Sequence, residues 1–301
     1  MTTHPYSPWR QRSRRLRIFG RRYAESPTGV IGAVIFGTIV LMAIAAPLLS
    51  PQDPYDMMVL NLMDSRLSPG EVGSAGFVHV LGTDDQGRDI WSMILYGLRI
   101  SLSVGLGAGG ISFALGGFVG IFAAYRGGRI DAIIMRLVDF QLSFPAILVA
   151  LVLLAALGSG IDKVVIALVT VQWAYFARTA RSAALVERQK DYIAGAKSLG
   201  LSESRTILGH LLPNSLPAIM VIAAIQVANA ILLEATLSFL GLGLSVTEPS
   251  LGMVISNGFQ HILSGRYWMT VYPGIALVLT VLSLNLIGDR LREMLDPRGQ
   301  S

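Results

Sequence analysis

Few residues in this sequence have types and spacings that could do chemistry, and most of the usual arrangements are missing. The four histidines are His4, His79, His210 and His261. No two stand at i and i+4, and the chain has no cysteine, so neither a zinc site nor a catalytic histidine is expected. Without cysteine there is also no disulfide framework and no thiolate nucleophile. Lys163, Lys190 and Lys197 lack the preceding glycines of a phosphate-binding loop. The chain is therefore not expected to bind ATP itself. No nucleophile–base pair is visible, so no enzyme active site, cofactor or metal is expected. The stretch GTDDQGRD at 82–89 has the glycines and aspartates of a metal loop. It lacks the alternating ligands and closing glutamate of a calcium loop, and reads better as turns and a helix cap. Glu234 is an acid inside an apolar run. Such a residue is either a gate or pathway contact or a buried hydrogen-bonding group that fixes helix packing. Gln226 and Asn229 share only part of its helical face. Asp139, with Gln141 beside it, is expected to pair with Arg136, three residues back.

The most patterned polar stretch is 187–213. In ERQKDYIAGAKSL, Tyr192, Ile193, Ala196 and Leu199 fall on one helical face. Gly200 then suits the left-handed position that ends a helix. Ser202 is a candidate N-cap for a second helix through Ile207, Leu208 and Leu211, expected to stop at Pro213. By pattern alone the pair is an amphipathic knob on a membrane surface or on a partner.

The elements that must carry this knob are apolar. Of 301 residues, 52% are hydrophobic and 14% charged, far from the quarter charged of a soluble domain. Six stretches qualify as spans of roughly 20 residues: 29–49, 101–125, 142–160, 164–180, 215–242 and 271–288. Gln172 and Trp173 interrupt the fourth. Backbone in lipid must satisfy its own hydrogen bonds, so the spans are helices. With the N-terminus inside, 19 of the 24 basic residues fall on inner segments. That distribution supports six spans with both termini cytoplasmic. The net charge of +5 thus reads as membrane orientation and not as nucleic-acid binding. The run WRQRSRRLRIFGRR leads into a spanning stretch with no small-residue cleavage site after it, so no cleavable signal peptide is expected. Gly105 with Gly109, and Gly116 with Gly120, are four apart and suit close helix contact, within the chain or against a second subunit. No internal repeat stands out, so the inverted-repeat plan of many secondary transporters is not expected.

Three stretches carry a resemblance to one family. Residues Ala194, Gly195 and Ala196, then Gly200, then His210, Leu211, Leu212 and Pro213 keep the spacing of the EAA loop of ABC-importer permeases. Ala194 stands where that loop has an acid, Gly195 where it has alanine, and His210 at its aliphatic position. LGTDDQGRDIWSMILYGLRISLSVGL at 81–106 and EATLSFLGLG at 234–243 resemble the C-type subunit of the peptide/nickel branch, with Met93 at a commonly basic position. The likeness runs from the first span to DPR at 296–298. It implies an all-α membrane protein, the six-span type I ABC-importer transmembrane domain with a cytoplasmic coupling helix. The implied plan is a basic cytoplasmic segment at 1–28, a first helix at 29–49 and an external loop at 50–98. A five-helix core follows at 99–289, with the coupling loop at 181–214 and a cytoplasmic tail at 290–301. The implied partners are a second homologous permease, two ATPase subunits and an external solute-binding protein in a bacterial inner membrane. The cargo would be di- or oligopeptides, or else nickel or another small solute. The coupling contact would be Ala194 to Gly200, positioned by Leu211 to Pro213. The loop at 82–89 would lie near the docking surface of the binding protein. A stand-alone secondary transporter is the rival from another class, and ATP dependence of uptake separates the two.

Overall fold

The computed structural model describes residues 20–295, apart from 57, 59, 245–247 and the side chain of Lys197. Most of the basic run at 9–22 and DPR at 296–298 lie outside the described residues. Helix α1 spans Pro27–Ile44, with Ser26 as N-cap and Pro27 at the first position, where its missing N–H costs nothing. A short α2 (Ala46–Leu49) follows. The segment 50–89 forms a small folded cap with an antiparallel pair, β1 (Glu71–Val72) and β2 (Val78–His79). Helix α3 (Ile90–Arg126) is 37 residues long. Then come α4 (Gly128–Leu142), α5 (Ala146–Leu157) and α6 (Ile161–Arg188). The short α7 (Asp191–Ser198) and α8 (Glu203–Thr206) lead into α9 (Leu212–Phe239). The chain closes with α10 (Leu251–Phe259) and α11 (Trp268–Leu295).

Among the described residues, α1, α3, the continuous run Glu203–Phe239 and α11 are long and apolar enough to cross a membrane. The pair α4–α5, bent by 87°, adds a fifth if it crosses as one. Helix α6 has 28 residues and is long enough, but its ends carry charge. The stretch expected as one span at 142–160 thus holds only the 12-residue α5, too short to cross alone, and reaches spanning length only together with α4. Pro145 lacks an N–H and disfavours helix in the residue before it, so the helix breaks at Ser143–Pro145. The second span begins earlier than expected, because Asp89 caps α3.

Helices α3 and α6 make the most extensive contact in the bundle. Ala174, Ala177, Ala180 and Ala184 of α6 are fully buried; Ala177 meets the α3 glycines Gly116 and Gly120, and Ala180 and Ala184 share a core with Ile121 and Ala124 of α3. A β-carbon at Gly116 would meet the Trp173 carbonyl, and one at Gly120 the Ala177 carbonyl. Gly105 and Gly109 make room for the side chains of Ile231 and Val227 of α9. All four glycines therefore serve packing within the chain, and at Gly116 and Gly120 they let two backbones approach in lipid. Gly120→Ala should destabilise the bundle by about 1–3 kcal/mol, the range for overpacking a filled site. Gly107→Ala, with no described atom within 4 Å of its new methyl, should be neutral or better. Thermal unfolding of both variants in detergent checks the contrast.

Candidate functional site

At one end of the bundle, α7 and α8 form a knob resting on the ends of α3 and α6. Ile193, 1% exposed, and Ala196 turn inward. Ile193 joins a core of Ile121 and Ala124 from α3, Phe176, Ala180 and Ala184 from α6, and Ile207 and Leu211. Arg188 at the end of α6 donates to the Ala124 carbonyl at 2.7 Å, a cation meeting the unpaired carbonyls of a helix C-terminus. Arg126 pairs with Glu203 of α8 at 2.8 Å; the pair is exposed and adds little. The Tyr192 hydroxyl donates to Glu187 at 2.7 Å. Desolvation, then this carboxylate, push the phenol up to about 12, so it remains a donor at any physiological pH.

Gly200 has φ +70°, the left-handed conformation its position suggested, and the chain reverses there into α8. Ser202 stands at the N-cap, though its side chain makes no cap hydrogen bond. Pro213 does not stop the second helix. Residues Ile207–Leu211 form a π turn, and the helix continues as α9. The wider turn removes the clash between the proline ring and the carbonyl four residues back, and no i→i−4 bond needs the missing N–H.

The expected contact residues divide between two faces. Ala194, Gly195 and Gly200 are exposed, whereas Ala196 and Leu211 are buried in the chain's own core. Leu212 is half-buried and Pro213 exposed. The face expected from the helical pattern was too wide. Leu199 is 82% exposed and Tyr192 also points outward. Leu199 belongs with the outer face, and its apolar character in an exposed loop was the signal.

Glu234 is 0% exposed. Its two oxygens accept from Ser101 of α3 and Ser238 of α9, each at 2.8 Å. Both oxygens are thus occupied by this chain, which is the geometry of a packing group. Asp139 pairs with Arg178 of α6 at 2.5 Å and not with Arg136. Asp131 receives two bonds of 2.6 Å from Arg181. Packing α4 across α6 favours these cross-helix partners over one on the same helix.

At the far end, GTDDQGRD is turn and cap. The Asp84 carboxylate accepts from the backbone N–H groups of Gln86 and Arg88 and from Arg88 Nε, at 2.7–2.9 Å. Asp89 caps α3 by accepting from the Ser92 N–H at 2.7 Å, and its other oxygen meets His79 Nδ1 at 2.9 Å. Trp268 Nε1 donates to the Thr83 carbonyl, tying the cap to α11.

A helical bundle with apolar spans, a folded cap at one end and a knob joined to its longest helices at the other defines a multi-pass membrane transport subunit. Residues 116–300 match the family described as binding-protein-dependent transport system inner membrane component, and residues 7–69 match the N-terminal TM domain of oligopeptide transport permease C. The chain belongs to this family of ABC-importer permeases. It is 40% identical over 279 residues to a putative peptide transport system permease protein of Brucella suis biovar 1, covering 92% of this chain and 90% of the relative. It is 38% identical to the probable D,D-dipeptide transport system permease protein DdpC of Escherichia coli, over 91% of this chain and 88% of that one. Identity to the dipeptide transport system permease protein DppC of Alkalihalophilus pseudofirmus is 36%, over 98% and 91%. Among solved structures, a chain of the MetNI methionine ABC transporter in an inward facing conformation shares the fold. Its TM-score is 0.56 at 19% identity, over 68% of this chain and 97% of that one. The protein is therefore a transport subunit of a binding-protein-dependent system, and the ATPase is on separate chains.

Asp89→Ala should destabilise the protein by ~1–2 kcal/mol through the lost cap and open residues 50–89 to protease. Asp89→Asn, which can still cap, should recover most of the loss. Thermal unfolding and limited proteolysis in detergent check both.

Proposed function

We propose that this chain is one of two homologous permeases in an ATP-driven importer of di- or oligopeptides that has two ATPase subunits, one of them docked on this chain's α7–α8 knob. The observation that carries the reading is the two-faced knob. Ile193 and Leu211 join it to a core with residues of α3 and α6 and Ala196 is also buried, while Ala194, Gly195, Leu199 and Gly200 face outward. A partner that pushes on the outer face moves both long helices, as switching between two bundle arrangements requires. The peptide cargo rests on the names of the relatives, since nothing in the knob selects a solute.

In this reading the knob is cytoplasmic, as the basic residues suggest. The chain crosses six times, counting α4–α5 and α6 as one crossing each, and both termini are cytoplasmic. Residues 1–28 and 290–301 are then cytoplasmic segments, 50–98 is external, and 99–289 is the transport core with its coupling loop at 181–214. The external cap, with the loop at 82–89, faces the solute-binding protein. Glu234 holds α9 to α3 near the external end and is a packing group.

Gly200→Val tests the knob. A β-branched residue in the left-handed conformation costs roughly 1–2 kcal/mol, enough to shift the knob's population on the order of tenfold. The β-carbon itself meets nothing within 4 Å, so folding and membrane insertion should be normal. ATP-dependent uptake in proteoliposomes of the whole complex should fall while the ATPases still hydrolyse. Leu199→Asp should leave the chain folded and reduce ATPase recovered on affinity purification. Unchanged uptake in Gly200→Val together with full ATPase recovery in Leu199→Asp would overturn the coupling assignment.

A further inference from the structure

A cavity of about 410 Å³ opens between the start of α5, the middle of α6 and the middle and outer half of α9. Its walls are aliphatic, but five lining residues are polar: Gln172, Tyr175, Gln226, Asn229 and Thr236. None of the residues lining it is charged. Gln226 stands at the middle of the 28-residue α9, and Gln172 close to the middle of α6. The polar patch therefore sits at mid-membrane depth, where polar groups are costly and mark pathways.

Gln172 is the informative residue. It is 2% exposed, and its side-chain nitrogen donates to the Gln226 backbone carbonyl at 3.0 Å. Its side-chain oxygen is buried with no hydrogen-bond partner among the described residues. Asn229 donates to the Gln226 side-chain oxygen at 3.3 Å and is itself exposed to the cavity. The inward positions of α6 on either side of Gln172 are Ala167, Leu168, Val171 and Ala174, all buried. Packing there is satisfied by apolar residues, so shape alone does not call for an amide. An amide oxygen left unpaired there is a standing cost; it is occluded in this arrangement, and a turn of the Gln172 side chain towards the cavity would let a donor there relieve it. Glu234, one to two turns along α9, shows the contrast: both its oxygens are already occupied.

We infer that this cavity is where cargo touches the chain, and that the group it receives is an uncharged amide, namely the backbone of a peptide in transit. A peptide N–H would donate to Gln172 Oε1, and a peptide carbonyl would accept from the Asn229 amide. This rests on the peptide reading above and adds the place and the chemistry of contact. An uncharged amide lining grips every peptide alike, whatever its side chains, and holds none tightly. A passage needs both properties, because cargo must leave as easily as it enters.

The chain has no cysteine, so a single introduced thiol can be followed by mass spectrometry of this subunit. Asn229→Cys is compared with Val152→Cys, at an apolar position on α5 that is 69% exposed. Both are placed in the complete importer in nanodiscs and treated with a charged methanethiosulfonate. The thiol at 229 should react severalfold faster than that at 152. Adding a transported tripeptide with binding protein and ATP should slow it severalfold. In proteoliposomes, Gln172→Leu should lower uptake of cationic, anionic and neutral tripeptides by the same factor. If the thiol at 229 is no more reactive than that at 152, the cavity is filled by the partner permease and the inference fails. It fails equally if tripeptide gives no protection while the unmodified complex transports that tripeptide. If the unmodified complex drives no tripeptide uptake with ATP, the peptide reading falls, and the amide assignment with it.

Discussion

The contact on which the rest of the molecule depends is the line along which α3 and α6 meet at backbone distance. Lipid gives no hydrophobic drive for helices to associate, so close van der Waals contact must supply it. Gly116 and Gly120 on one side and the buried alanines of α6 on the other remove the side chains that would hold the axes apart. The other features hang from this seam. At one end Arg188 closes it onto the Ala124 carbonyl, and the same two helices form the floor on which Ile193 sits. Further along, Gln172 projects from α6 to the backbone of α9. Knob and cavity thus share one helix, α6, which supplies the floor of the first and a wall of the second.

Much of this was legible in the sequence because its signals are local. Length and apolarity placed the helices, glycine spacing marked the seam, and Gly200 announced a left-handed turn that has φ +70°. The readings that failed needed information from outside the helix concerned. Arg136 is the nearest cation to Asp139 in the chain, yet Arg178 is nearer in space. Pro213 ends a helix by local rules, but a π turn of five residues absorbs it. Leu199 fits the apolar face by periodicity, yet the floor it would need ends before it, and it stays in solvent. The bend at Ser143–Pro145 was written in the proline, but the apolar run that follows it reads as a span by itself, while the charged α4 before it does not.

Two sets of buried polar groups differ in how they are bonded. At the capped end Asp84 and Asp89 hold the cap, and Glu234 binds two serines across α3 and α9, although Glu248 Oε2 there has no partner among the described residues. Satisfied networks of this sort rigidify what they join. Between the middles of α6 and α9 the paired groups are amides, and the Gln172 oxygen is left without a donor among the described residues. Sequence alone left the acid open between a pathway contact and a packing group, and read the glutamine as an interruption in a weak span.

The physical ground for telling the two groups apart is reversibility. An acid buried between two donors is stable because it does not have to change partners, which suits a fixed joint. A passage must offer bonds that form and break as cargo moves, at similar free energy in each arrangement of the bundle. A neutral amide, held at one atom by the Gln226 backbone and free at the other, meets that condition without a charge that would trap or repel particular side chains. In this chain the residue that breaks the apolar pattern of α6 is the one whose chemistry matches the backbone common to every peptide.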